Sequence, residues 1–185
     1  MRVISGEYGG RKLKAVPGMK TRPTTDKVKE NMFNIVGPYF DGGQSLDLFS
    51  GSGGLSIEAV SRGIDHAVLI DRQRAAIATI QDNIAVTKDP DRFTVIKGDA
   101  ERVLDSLSQA NDRFDLVFFD PPYKDQKIMT EMERLIELKL LAPNAVVVCE
   151  TDMAANLPDD LPNYRLLKRK DYGITQLTIY QLGGE

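Results

Sequence analysis

From residue 44 onward the chain alternates short apolar segments with helix-periodic ones, and this alternation restricts the fold more than any other feature. Residues 45–49 (SLDLF), 67–70 (AVLI), 93–96, 114–119 (FDLVFF) and 145–149 (AVVVC) read as buried strands. Residues 55–62, 72–86, 101–109 and 126–140 lie between them and read as helices. Ala76, Ile77, Ile80 and Ile84 share one face of the second, and Val103, Leu104 and Leu107 one face of the third. Residues 164–172 and 174–182 read as two strands joined by a turn at Gly173, a closing antiparallel pair. Five βα units and a terminal hairpin predict a doubly wound α/β sheet. In such a sheet ligands bind beyond the carboxyl ends of the strands, so the residues that follow each strand are the ones to inspect.

The first forty residues differ. Gly6, Gly9, Gly10, Pro17, Gly18 and Pro23 punctuate short apolar pieces (Val3, Ile4; Leu13, Ala15, Val16), which predicts a small hairpin and a loop. Val28, Met32, Ile35 and Val36 then fall on one helical face, with Thr24 or Thr25 able to cap its start and Gly37-Pro38 to end it. We expect residues 1–40 to form a hairpin-and-helix extension packed on one catalytic unit, residues 41–185.

A chain of 185 residues with 42% apolar residues supports one full core. Its apolar runs fall far short of the ~20 residues that span a bilayer. No apolar stretch follows the charged N-terminus, so no secretory signal is expected and the cytoplasm is the expected location. One cysteine, Cys149, excludes an internal disulfide, and with a single histidine, His66, it makes no zinc site; no metal is expected. Cys149 reads as a buried small hydrophobe and His66 as a surface residue.

The net charge of −3 argues against a nucleic-acid partner until it is divided. Residues 1–30 hold eight basic and three acidic side chains, a net of +5; the remainder holds sixteen and twenty-four, a net of −8. A charge run is by default a solvated face. The alternative is a basic extension that meets phosphates through Arg2, Arg11, Lys12, Lys14, Lys20 and Arg22.

Three strand ends describe a nucleoside pocket. After the first strand comes Asp47-Leu48-Phe49-Ser50-Gly51-Ser52-Gly53-Gly54, where glycines let the backbone approach a ligand and turn into a helix. Gly51 and Gly53 fit the dinucleotide template, but its third glycine is replaced by Ser56. The second strand ends in Asp71-Arg72, twenty residues after Gly51, where a carboxylate can accept from ribose hydroxyls. The third ends in Gly98-Asp99-Ala100, with Asp99 expected near an adenine amine. Asp47 beside the glycine loop suits a sulfonium or ammonium ligand better than a pyrophosphate. The pocket therefore favours S-adenosylmethionine over NAD.

The fourth strand ends in Asp120-Pro121-Pro122-Tyr123. Two prolines stiffen the loop and supply no N–H. The Asp120 carboxylate and the Pro121 carbonyl form a rigid acceptor pair beside an aromatic face. A planar amine can donate both hydrogens to that pair while its ring stacks on Tyr123.

The DPPY segment resembles the [DNS]-P-P-[YFW] signature of amino-methyltransferases, and LDLFSGSGG resembles their cofactor loop. The opening MRVISGEYGGRKLKAVPG with TRPTTDKVKENMFNIV, and the closing DYGITQLTIY, resemble the RsmD family, bacterial 16S ribosomal RNA (guanine-N2)-methyltransferases. The resemblance covers nearly the whole chain. It implies a Rossmann-like class I methyltransferase with a seven-stranded, mostly parallel sheet whose last strand is antiparallel. It also implies S-adenosylmethionine as cofactor, S-adenosylhomocysteine as product and guanine 966 of 16S ribosomal RNA as target, in the small subunit or an assembly intermediate. A monomer is expected. By the same resemblance Arg22-Pro23-Thr24 lies near the DPPY loop, and Thr24 joins the RNA-contacting set. Ser50 and Gly54 stand where some relatives have alanine.

Four rival functions are weaker on the residues. A DNA or RNA adenine-N6 methyltransferase also uses DPPY, but the DNA enzymes carry a target-recognition insertion for which no room exists after Asp120. A protein glutamine methyltransferase begins its motif with Asn. An NAD-dependent oxidoreductase is disfavoured by Ser56 and Asp47. A non-enzymatic RNA-binding module has no use for the DPPY loop.

Overall fold

Eight strands form one mixed sheet in the order β3-β2-β1-β4-β5-β8-β7-β6. The computed structural model describes residues 1–18 and 24–183. β1 (Gln44–Asp47), β2 (His66–Asp71), β3 (Phe93–Lys97), β4 (Phe114–Phe119) and β5 (Leu141–Asp152) pair in parallel. β8 (Thr175–Leu182) runs antiparallel to β5, followed outward by β7 (Tyr164–Tyr172) and the two-residue β6 (Asp160–Leu161). β6 adds one strand to the expected seven.

Helices cover both faces because the central strands are apolar on both sides. Within β2, Ala67 and Leu69 face one core while Val68 and Ile70 face the other. α1 (Asp26–Val36), α2 (Gly54–Ser61) and α3 (Arg74–Thr87) close the first face; α4 (Ala100–Gln109) and α5 (Ile128–Glu137) close the second. The chain winds outward from β1 to β3, returns to β4 beside β1, and continues to β5. That reversal opens a crevice beyond the carboxyl ends of β1 and β4.

Two expectations about the fold fail locally. The fifth strand is followed by a 3₁₀ turn (Met153–Ala155) and β6, with no fifth crossover helix. Pro158, Pro162 and the left-handed residues Asn156 and Asn163 break any helix there. α5 also starts later than residue 126. A 3₁₀ turn (Tyr123–Asp125) continues the DPPY loop, and the Gln126 side chain accepts from Ile128 N at 2.9 Å to begin the helix. Lys139, at φ 55°, ends it.

The N-terminal segment is built into the sheet's first face. Val3, Tyr8 and Leu13 are buried in the same core as α2. Its hairpin is reduced to one bridge, Arg2 with Lys12, and backbone bonds such as Val3 N to Arg11 O at 2.9 Å. Glu58, fully buried on α2, accepts from Ile4 N (2.8 Å), Ser5 N (3.1 Å) and Arg62 Nε (2.8 Å), with Lys29 Nζ at 3.3 Å. One carboxylate thus ties the segment, α1 and α2 together. Gly6 packs so closely that a Cβ would sit 2.0 Å from Ser61 O.

Candidate active site

The crevice is a cleft of about 990 Å³, within the range of ligand sites in proteins. One wall is the glycine loop. Gly51 and Gly53 take φ values of 55° and 82°, which let the chain leave β1 and enter α2 within a few residues. A Cβ on Gly51 would meet nothing within 4 Å, so this backbone faces open space. Asn83 on α3 holds the loop from behind, donating to Ser52 O (2.8 Å) and Lys14 O (3.0 Å).

The strand-end carboxylates lie where the sequence puts them. Asp71 accepts from Gly51 N and Gln73 N, both at 2.9 Å, which fixes its carboxylate and leaves lone pairs for further donors. Asp99 caps α4 through Glu101 N at 3.0 Å and is exposed to the cleft with the half-buried Ala100. Phe49, Ser50 and Arg72 also line it. Asp47 is buried; its carboxyl accepts from Phe49 N at 3.3 Å. Burial pushes it up to about 7, and the negative charges of Asp71 and Glu150 add to the shift.

Asp120 follows β4, the strand next to β1, and lines the same cleft. Burial raises its carboxyl well above the usual range, reinforced by Glu150 and Asp47. Pro121 is buried; Pro122 and Tyr123 are exposed on the rim. The Tyr123 hydroxyl lies 3.5 Å from Thr175 Oγ1 at the start of β8. Asp47 and Glu150 are buried and Asp120 is half-buried, so three acids share one poorly solvated floor. Among the described residues no group of His, Cys, Asp and Glu has the arrangement that holds a metal ion. The floor instead suits a cation or N–H donors, because either would relieve the mutual repulsion.

The basic residues are less free than expected. Arg11 donates to Val86 O (3.1 Å) and Thr87 O (2.9 Å) at the C-terminus of α3 and lies over the Tyr8 ring, so it serves as a tether. Lys14 is 3.6 Å from Asp82, and Arg2 3.6 Å from Asp26; both remain largely exposed, as does Lys12. Lys20 and Arg22 lie outside the described residues. Thr24 donates its hydroxyl to Glu150 Oε2 at 2.6 Å, which brings the N-terminal segment to the cleft.

Three cleft residues escaped the sequence reading. Glu150 follows the apolar run 145–149, so the strand-end rule points to it as directly as to Asp120. Glu131 interrupts the buried stripe Ile128, Met132 and Leu135 of α5; its Oε2 is buried without a hydrogen-bond partner, and burial pushes its carboxyl up to about 7. Lys29 lies on the inner face of α1, where burial pulls its ammonium down and Glu58 opposes that shift. Cys149 is buried with its thiol pushed up, and His66 bonds Thr94 at 2.7 Å.

A family model described as Conserved hypothetical protein 95 matches residues 1–181. The chain is 45% identical, over all of both chains, to the "Putative rRNA methyltransferase YlbH" of Bacillus subtilis. It is 33% identical to the Escherichia coli "Ribosomal RNA small subunit methyltransferase D", covering 98% of this chain and 89% of the other. Among solved structures, "Putative methyltransferase yhhF from Escherichia coli" superposes with a TM-score of 0.83 at 32% identity, covering 100% of this chain and 99% of that one.

Proposed function

The chain belongs to the RsmD family, and from that premise we propose that it transfers a methyl group from S-adenosylmethionine to the exocyclic N2 of one guanine, guanine 966, of 16S ribosomal RNA. The fold is that of the class I S-adenosylmethionine-dependent methyltransferases. The observation that carries the reading is that Asp120, Pro121 and Tyr123 line the same cleft as the glycine loop, Asp71 and Asp99.

The residues fit the cofactor. Asp71, held by two backbone N–H groups, would take the ribose hydroxyls; Asp99 and Ala100 would meet the adenine; Phe49, Ser50, Gly51, Gly53 and Arg72 would line its path. Asp47, raised by burial, would regain its charge beside a sulfonium or ammonium. When bound, S-adenosylmethionine supplies an electrophilic methyl group and leaves as S-adenosylhomocysteine.

The chain's own part is to present the amine. A guanine N2 lone pair is delocalised into the ring and is a poor nucleophile. Asp120 and the Pro121 carbonyl accept its two N–H bonds and favour a pyramidal nitrogen with its lone pair turned outward. Alignment contributes more to such a displacement than a strong base does. Ionised Asp120 stabilises the positive charge that develops on nitrogen, and the N2 proton then leaves to Asp120 or to water. Tyr123, 39% exposed on the rim, offers a stacking face to a base drawn out of its RNA stack.

The exposed cations Arg2, Lys12 and Lys14 support RNA contact by the N-terminal segment, with Lys20 and Arg22 in the same stretch of sequence. Residues 1–40 and 41–185 act as one unit, a monomer working in the cytoplasm on the small subunit or an assembly intermediate. The test is incubation with labelled S-adenosylmethionine and small-subunit RNA or subunits, followed by digestion to nucleosides. N2-methylguanosine is expected; N6-methyladenosine, or no methylated nucleoside, overturns the reading. Asp120→Ala abolishes turnover while calorimetry still records cofactor binding.

A further inference from the structure

Glu150 stands beside Asp120 and has no role in the amine chemistry described above. β4 and β5 pair in parallel with Phe119 opposite Cys149, so Glu150 on β5 comes next beside Asp120, the first residue past β4. Phe119 and Cys149 belong to the core under α4 and α5. Alternation along β5 therefore turns Glu150 to the other face, the face of α1. Glu150 is 7% exposed and lines the cleft. Thr24, just ahead of α1, donates to its Oε2 at 2.6 Å and holds the carboxyl in place. A carboxylate accepts several donors, so this bond leaves capacity for another.

Asp120 and the Pro121 carbonyl suffice for the two hydrogens of an exocyclic amine. They do not distinguish guanine from any other base with an amine. The Watson–Crick edges do differ. Guanine presents N1–H next to its N2 amine, a continuous run of donors. Adenine presents an acceptor, N1, next to its N6 amine. Opposite a second buried carboxylate the first edge is satisfied and the second sets lone pair against lone pair.

We propose that Glu150 is the base-selecting residue: its carboxylate, positioned by Thr24, accepts the N1–H of the target guanine while Asp120 and Pro121 hold the N2 amine. This rests on the guanine-N2 function proposed above and explains why a DPPY site would choose that base. Burial raises the Glu150 carboxyl, and a donated N1–H favours its ionised form.

The test uses the full chain and small-subunit RNA ligated to carry guanine or 2-aminopurine at the methylated position. 2-Aminopurine keeps the N2 amine but offers an acceptor at N1. The wild type is expected to prefer guanine in kcat/KM by at least about a hundredfold, as sites built around a buried hydrogen bond do. Glu150→Gln carries both a donor and an acceptor, so its preference should fall to within about tenfold. An unchanged ratio in Glu150→Gln overturns the proposal, as does a wild type that does not discriminate. Loss of both substrates by a folded Glu150→Gln protein with normal cofactor binding also overturns it, because Glu150 then acts in the chemistry. If that variant does not fold, Thr24→Val takes its place: KM for the guanine RNA should rise about tenfold with kcat little changed and the base preference reduced. Unaltered KM and preference refute the proposal. A wild type that forms no N2-methylguanosine refutes the proposed function itself, a separate outcome from these.

Discussion

Asp47→Asn should make the empty protein more stable and a poorer enzyme, with the difference switched on by pH. Asp47 is buried, and its carboxyl is pushed from an ordinary 3.8 up to about 7. The folded state therefore holds this proton more tightly than the unfolded chain. Below pH 4 both states are protonated and the residue contributes no pH dependence. Between 4 and 7 the unfolded chain ionises first, so wild-type stability falls as pH rises, by about 1.4 kcal/mol per unit. Above 7 the loss is complete, with a ceiling of about 4 kcal/mol. Asparagine cannot ionise and can still accept from Phe49 N. Urea unfolding of the ligand-free proteins at half-unit steps from pH 4.5 to 8 measures the difference directly. The two curves should nearly meet at the acid end and part by about 2–4 kcal/mol at pH 8, the variant being the more stable. A difference that is flat with pH, or a variant less stable at pH 8, refutes the argument. Affinity for S-adenosylmethionine should fall in the same variant, a trade of function against stability. In the wild type near pH 6.5, cofactor binding should release roughly 0.7 of a proton, seen as heat that changes with the buffer's ionisation enthalpy.

Glu131→Gln should show a smaller version of the same behaviour, gaining about 1–3 kcal/mol at pH 8 and little at pH 4.5 in urea unfolding, because its raised carboxyl is also 5% exposed and has an orphan oxygen. Glu58→Ala removes one buried carboxylate from two cations and two backbone donors, and should cost about 3–5 kcal/mol. Hydrogen exchange should then quicken first at Ile4 and Ser5; unchanged protection there would mean that Glu58 does not anchor the N-terminal segment.

How much of this was legible in the sequence depends on the range of the interaction. The five parallel strands were readable because each contains a short apolar run, and the residues just after three of those runs exposed Asp71, Asp99 and Asp120, with Asp47 inside the first; β5 begins four residues ahead of its run. Helix ends were less so, since the start of α5 is decided by the Gln126 side chain and not by periodicity. The basic N-terminal stretch was visible as charge, but its sparse apolar residues gave no warning that Val3, Tyr8 and Leu13 are core. Nor could spacing reveal that Arg11 caps α3. The Thr24–Glu150 bond joins residues 126 apart, and only the folded sheet brings them together. Glu150 itself was within reach, hidden because a charged residue after an apolar strand passes for a surface end.

The central claim is a single base modification, and mass spectrometry of 16S ribosomal RNA addresses it most directly. RNA from cells lacking this protein should be missing one N2-methylguanosine, at guanine 966, restored by the wild-type gene and not by Asp120→Ala. An unchanged modification map, or a loss at any other nucleoside, contradicts the account.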